Sequence, residues 1–257
     1  MNRSLKLLLS EVLRTPVPAA HQRLHVNHRY MLAWSTHIAS RQPNARTLDF
    51  GCGDASVVRV GRSIGLDLYG TDVTDESQFV RRISDGRIPF DDDSFDLVIS
   101  NQVFEHVHRL EPVLREISRV LKNDGLLVCL FPTSEVVREA HCGVPFLHWL
   151  PKGLARRVEY TELWSCMGFS FHKESVTLRK WATDAVDWMD RFVFYRRRSE
   201  ALTSFKRVFA IESIEENYLA YRYPKVAPFL RIPWFREAAK LVCRRFNGVA
   251  LTARKPG

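Results

Sequence analysis

The stretch "LDFGCGDAS", Leu48 to Ser56, sets two glycines around a cysteine, directly after a short apolar run and directly before helical spacing. Glycine is needed where the backbone takes torsions a side chain resists, or where a ligand presses on the main chain. Gly51 and Gly53 stand where a first strand would end, the place where open α/β sheets receive dinucleotides, nucleoside triphosphates or sulfonium cofactors. A dinucleotide fingerprint asks for a third glycine where Ser56 stands, and a P-loop asks for a lysine the loop lacks. Asp49 and Asp54 flank the loop. As turn caps they would be bland, but as charges they oppose a pyrophosphate and attract a sulfonium or an ammonium group.

Working outward, short apolar strands alternate with amphipathic helices. Strands are expected at 46–50, 66–72, 94–100 and 125–131, with helices near 55–63 and 110–122. In the second helix Leu110, Val113, Leu114, Ile117, Val120 and Leu121 follow i, i+3, i+4 spacing, and "NDG" terminates it. This rhythm predicts an α/β fold, a parallel sheet with helices on both faces. Before it, residues 1–14 and 21–40 have helical spacing. After it come a helix near 155–168, a strand near 171–179, a helical stretch near 182–246 and a last strand at 248–254. The chain divides into an N-terminal helical segment (1–43), a core (44–180), a helical lid inserted late (181–246) and a closing strand with tail (247–257).

The 257 residues, 46% apolar and 26% charged, suffice for one sizeable core and argue against disorder. No apolar run approaches the roughly 20 residues a bilayer span requires. The N-terminus lacks a small-residue cleavage site and reads as a helix. The five cysteines are scattered, with no CxxC pair. That suggests a reducing compartment, the cytoplasm, without disulfides or structural zinc. Net charge is +5 over residues 1–50, −6 over 51–150 and +10 over 151–257. The basic outer segments are either solvated faces or meet an anionic partner, such as RNA or a membrane surface with lipid-linked substrate.

Four ordered motifs, "LDFGCGD", "YGTDVTD", "ISDGRIPFDDDSFDLVISNQVFEHV" and "LKNDGLLVCLFPT", resemble the class I S-adenosylmethionine-dependent methyltransferases, in particular the ubiquinone and menaquinone biosynthetic subgroup. The likeness spans roughly residues 44–134. It implies a Rossmann-like, seven-stranded, mostly parallel sheet and S-adenosylmethionine as cofactor. Asp49, Gly51, Cys52 and Gly53 would hold the methionine portion, Asp72 the ribose, and Val73 the adenine. Asp85 and Gly86 would meet the adenine edge, although the spacing from Asp85 to Phe90 is one residue shorter than the family's. Asn101 and Gln102 would line the methyl-donor pocket.

Methyl transfer from a sulfonium is an in-line displacement, so the protein aligns donor and acceptor and excludes water. An oxygen acceptor also needs a base. His106 is the candidate, with Glu105 orienting it or binding substrate. His141 and His148, in "EAHCGVPFLHWLPKG", are further candidates to touch the acceptor. Some quinone-pathway relatives carry a Glu-x-x-Glu-His arrangement here that is associated with a divalent metal. Gln102 replaces the first glutamate, so no metal is expected. Asp91, Asp92 and Asp93 read as a solvated turn.

The expected function is methyl transfer to a small-molecule acceptor: a sugar, lipid-linked saccharide, quinone-like ring or secondary metabolite. An RNA methyltransferase is the alternative enzyme, but no RNA-binding module or Asn-Pro-Pro-Tyr motif supports nucleic acid as partner. A silent cofactor-binding scaffold is the non-enzymatic alternative. In "PWFREAAKLVCRRF", Trp234, Phe235, Ala238, Leu241 and Val242 share a face. That face suits packing on a core or peripheral contact with an anionic membrane. The sequence sets no oligomeric state.

Overall fold

The alternating rhythm resolves into one sheet. The computed structural model describes residues 11–12, 24–74, 76–153, 156–172 and 176–256. Strands β1 (Arg46–Phe50), β2 (Asp67–Asp72), β3 (Val80–Arg82), β4 (Phe95–Asn101) and β5 (Leu121–Phe131) run parallel. β7 (Val249–Arg254) lies antiparallel between β5 and β6 (Ala210–Ser213). The seven strands follow the order β3-β2-β1-β4-β5-β7-β6. Chain order reverses between β1 and β4, and a ligand crevice opens at the carboxyl ends there.

Both faces of the sheet are apolar because its strands alternate two buried sets. Leu97 and Ile99 of β4, with Val128 and Leu130 of β5, join one cluster. Val98, Leu127 and Cys129 join the other. The first face is covered by α1 (Val26–Arg41) through Trp34 and by α2 (Ser56–Ser63) through Val58. The second is covered by α3 (Leu110–Val120), whose Leu110, Leu114 and Ile117 form the stripe read from sequence. Each such side chain contributes about 1.5–3 kcal/mol by leaving water.

Several expectations fail for local reasons. α3 stops at Val120 because Leu121 already pairs with Phe95 in the ladder, and Lys122 Nζ holds Asp96 at 2.8 Å. The strand expected near 171–179 does not form among the described residues there. Its β-branched residues suit a strand, but Thr177 Oγ1 accepts the Lys180 N–H at 3.4 Å and starts α5 (Leu178–Phe192), which pairs with α4 (Arg156–Cys166).

The 181–246 segment is likewise not one helical lid. It supplies strand β6, and α6 (Arg198–Lys206) and α7 (Glu215–Arg222) are core helices that bury Phe205 and Tyr218 against the sheet. The part over the site is a smaller body built from the loop after β5, α4 and α5. Its own core contains Cys142, Val144, Leu147, Val186, Met189 and Val193. On α8 (Pro233–Phe246) the expected face is split: Phe235 packs against the first cluster, which also buries Cys243, whereas Trp234 is 72% exposed, and Leu241 and Val242 are exposed as well. The helix expected over 1–14 lies outside the described residues except 11–12, which are helical.

Candidate active site

The glycine loop turns out of β1 and back into α2. Gly51 (φ +74°) and Gly53 (φ +50°) both take left-handed torsions. Their constraints differ: a Cβ on Gly51 would come within 2.3 Å of Val103 Cγ2, whereas one on Gly53 would meet open space. The Gly51 and Cys52 N–H groups donate to Thr71 O, and the Gly53 N–H donates to Asp72 Oδ2 at 2.8 Å. The other oxygen of Asp72 accepts the Val73 and Thr74 N–H groups at 2.7 and 3.2 Å. Backbone donors therefore hold the carboxylate at the end of β2 in one orientation.

A cleft of about 670 Å³ opens between these elements and the turn after β4. It gathers Gly51, Gly53, Asp72, Val73, Asp85, Gly86, Gln102 and His106 from the residues expected of the site. Asp85 (φ +52°) and Gly86 (φ +73°) make the tight turn that brings them to its wall. Ile83, Ile88, Val103, Val107 and Val113 add an apolar side, drawn from segments separated along the chain.

Asp49, Cys52 and Asn101 stand behind this lining. Asp49 is buried, and burial first, then the charges of Asp72 and Asp54, push its carboxyl up to about 7. Cys52 is buried in packing, its Sγ within 2.7 Å of where a Cβ on Gly70 would lie. Asn101 faces a second cleft of about 360 Å³, bounded by Arg138, Glu139, Arg222 and Phe246. Gln102, left-handed at φ +58°, lines both clefts and marks where they meet.

Beyond the turn the lid closes a polar cluster. His106 Nδ1 donates to Phe192 O at 2.8 Å, and its Nε2 lies 3.2 Å from His141 Nε2. His141 Nδ1 donates to Glu139 Oε1 at 2.7 Å. Glu139 is fully buried and also accepts from Tyr195 Oη at 2.6 Å and from the His141 and Cys142 N–H groups. Burial pushes its carboxyl up, but His141 and these donors outweigh that and hold it at about 2. Burial lowers His106.

Glu105 is 2% exposed with both carboxylate oxygens unpartnered, and burial pushes it up to about 8. One ligand atom from each of Glu105, His106 and His141 falls within 4.8 Å of the others, a spacing suited to a metal ion.

His148 does not join this cluster. It lies past Tyr195, with ring centroids 4.7 Å apart, in a separate cleft of about 340 Å³ with Lys152 and Arg157. Glu139, Tyr195 and the Phe192 carbonyl were not singled out from the sequence. Only Glu139 left a signal there, as an acid two residues before His141. Asp92 and Asp93 lie in the expected exposed turn, paired with Arg119 and Lys255 at 2.7 Å.

Residues 48–129, from the glycine loop through β5, match the family model described as a methyltransferase domain. That segment is a methyltransferase domain. Two curated proteins are similar to part of the chain. The arginine-hydroxylase NDUFAF5, mitochondrial, of Danio rerio is 29% identical over 108 residues, 38% of this chain and 34% of that protein. The ubiquinone biosynthesis O-methyltransferase of Maricaulis maris is 27% identical over 129 residues, 43% of this chain and 51% of that protein. The matches thus span about half or less of these relatives.

Among solved structures, an S-adenosylmethionine dependent methyltransferase from Mesorhizobium loti aligns with TM-score 0.48 and 18% identity, covering 87% of this chain and 98% of that one. The phosphoethanolamine N-methyltransferase 2 of Haemonchus contortus aligns with TM-score 0.43 and 15% identity, covering 86% and 51%. The lining of this cleft fits S-adenosylmethionine in kind: a carboxylate, Asp72, that could accept hydrogen bonds from hydroxyls, and an apolar wall of Val73, Ile83 and Ile88 that could face a ring. Among the described residues no helix is long and apolar enough to cross a membrane.

Proposed function

We propose that the chain is an S-adenosylmethionine-dependent methyltransferase that modifies an oxygen of a small-molecule acceptor. The observation that carries this reading is the junction of the two clefts at Gln102. One cleft has the donor lining, and the other has polar walls and room for a second molecule.

Bound S-adenosylmethionine supplies an electrophilic methyl group on a sulfonium. Asp72 accepts hydrogen bonds from the ribose hydroxyls, and Val73, 70% exposed, gives the adenine a flat apolar contact. Asp54, joined by Asp49 once it ionises above about 7, places negative potential near the cationic end of the cofactor. The acceptor enters through the second cleft, and its oxygen is activated where the two clefts meet, at His106 on the donor side. The lid around α4 and α5 excludes water from the transfer.

The acceptor class we favour is a lipid-like or lipid-linked molecule met at an anionic surface. Exposed Trp234, Leu241, Val242 and Phe246 on α8 support it, and Phe246 also lines the second cleft. Basic residues Arg231 and Arg245 are exposed on and beside the same helix.

Calorimetry tests the first half of the proposal. S-adenosylmethionine should bind at one site per chain, with Asp72→Ala weakening it about 10–100-fold through lost charge-assisted hydrogen bonds. Equal affinity in both proteins would remove Asp72 from the site. Co-sedimentation with vesicles tests the second half. Binding to phosphatidylglycerol vesicles should exceed binding to phosphatidylcholine and fall in Leu241→Glu. No preference between them removes the membrane from the reading.

A further inference from the structure

The two imidazoles of the lid cluster pose a chemical problem. A carbonyl oxygen and an ionised carboxylate can only accept, so His106 and His141 must each carry their proton on Nδ1. With both rings neutral, that leaves two Nε2 lone pairs facing each other at 3.2 Å. Facing lone pairs repel, so a third proton or a metal ion belongs between them. A few ångströms away lies the Glu105 carboxyl, buried and bonded to no other residue, a polar group that is costly to bury unpaired.

We propose that Glu105, His106 and His141 hold a divalent metal ion. The geometry matches on three independent counts. Two nitrogens bound to one tetrahedral ion at about 2.0–2.1 Å lie roughly 3.3 Å apart, close to the 3.2 Å seen here. Each imidazole has its second nitrogen donated to a fixed acceptor, the arrangement that orients metal-bound histidines. One of those acceptors, Glu139, is itself locked by Tyr195 Oη and two backbone N–H groups. The third donor, Glu105, is the buried carboxylate with free oxygens.

Two imidazoles and one carboxylate suit a borderline ion such as Zn²⁺, Co²⁺ or Fe²⁺ better than Mg²⁺ or Ca²⁺, which prefer all-oxygen shells.

The sequence argues against such a site because Gln102 removes a carboxylate from the segment after β4. In three dimensions His141 brings a donor to His106 from 35 residues further along. The ligand set therefore differs from one confined to a single segment, and the expectation of no metal is withdrawn.

His106 also lines the donor cleft, which meets the second cleft at Gln102, so an ion on it would lie near the junction where an acceptor meets the donor. In the methyl-transfer reading, on which this step rests, an ion held by these residues would lower the pKa of an acceptor hydroxyl beside it, whose proton would pass to water. The oxygen then forms its bond to the methyl carbon as the carbon–sulfur bond breaks, and the sulfonium becomes a neutral thioether. Acceptors with two neighbouring oxygens, able to chelate, are the class this geometry would select.

The test is Co²⁺ titration of the chelator-treated full chain, read by visible d–d absorption and by metal content after gel filtration. One Co²⁺ per chain is expected, with a band typical of four or five ligands. His141→Ala and Glu105→Gln should each weaken binding at least 10-fold, and Glu139→Gln about 10–100-fold through loss of the orienting bond. S-adenosylmethionine affinity should be unchanged in Glu139→Gln, which guards against misfolding. Sub-stoichiometric cobalt without a band overturns the proposal, as does a band of equal affinity in His141→Ala. Because the readout needs no methyl transfer, a chain that binds cobalt but not S-adenosylmethionine sinks the functional reading and keeps the site. The reverse result sinks the site alone.

Discussion

The donor cleft and the lid cluster sit on either side of His106, yet they are built on opposite plans. The donor cleft is made of loops that leave neighbouring strands, and its polar contacts are mainly backbone N–H groups meeting a nearby carboxylate. The lid cluster joins side chains from the turn after β4, the loop after β5 and the segment beyond α5, separated by 35 to 86 residues. The first is held by the sheet. The second exists only when the lid docks, because Glu139, His141 and Tyr195 satisfy one another and have no such partners in the unfolded chain. Damage to the donor cleft should therefore appear in cofactor binding and fold together, and damage to the lid cluster in chemistry alone.

The largest effect is expected at the glycine loop. Gly51→Ala combines a left-handed torsion with a 2.3 Å collision against Val103, so cofactor binding should fall more than about 100-fold and the Tm with it. Gly53→Ala meets no atom and carries only the torsional cost, about 1–2 kcal/mol. Calorimetry and melting curves that found the two variants alike would mean the loop is not pressed against Val103.

Glu139→Gln comes next and sharpens the contrast. Turnover should drop about 10–100-fold while cofactor affinity stays within twofold, since the carboxylate orients His141 and touches no donor-cleft residue. A parallel loss of cofactor affinity would merge the two regions into one.

A third test uses pH. Asp49 keeps its proton up to about 7 in the folded chain, against an ordinary value of 3.8. Stability from this group is fully present below the unfolded value and is lost as pH rises toward about 7. Asp49→Asn removes that slope. Its Tm should match wild type near pH 4 and exceed it by on the order of 5 °C at pH 8. A constant difference across the range would show that Asp49 is not the titrating group.

The smallest effect belongs to the exposed acidic turn. Asp91→Ala should leave cofactor affinity unchanged and shift the Tm by less than about 2 °C, as for surface charges generally.

Legibility follows the same division. The strand pattern, the α3 stripe, Gly51, Gly53 and Asp72 could all be read directly, because each depends on residues close in sequence and on one repeating geometry. The strand expected near 171–179 was misread because a single cap at Thr177 outweighed the composition of its neighbours. β6 was missed because "AIES" is short and gains its identity from pairing with β7. His106 and His141 were both singled out, but nothing in the spacing says that their rings meet.

By itself the sequence determined the sheet, the loop and the kind of cofactor the loop favours, since backbone torsion, hydrophobic period and local charge act over a few residues. Only the tertiary structure decided that His148 stands apart and that α8 turns Phe235 and Cys243 to the core while leaving Trp234, Leu241 and Val242 exposed. It also decided that His141 comes to rest against His106 above an unpaired Glu105. Those outcomes depend on how the lid packs, and packing brings together groups whose separation along the chain carries no trace of their contact.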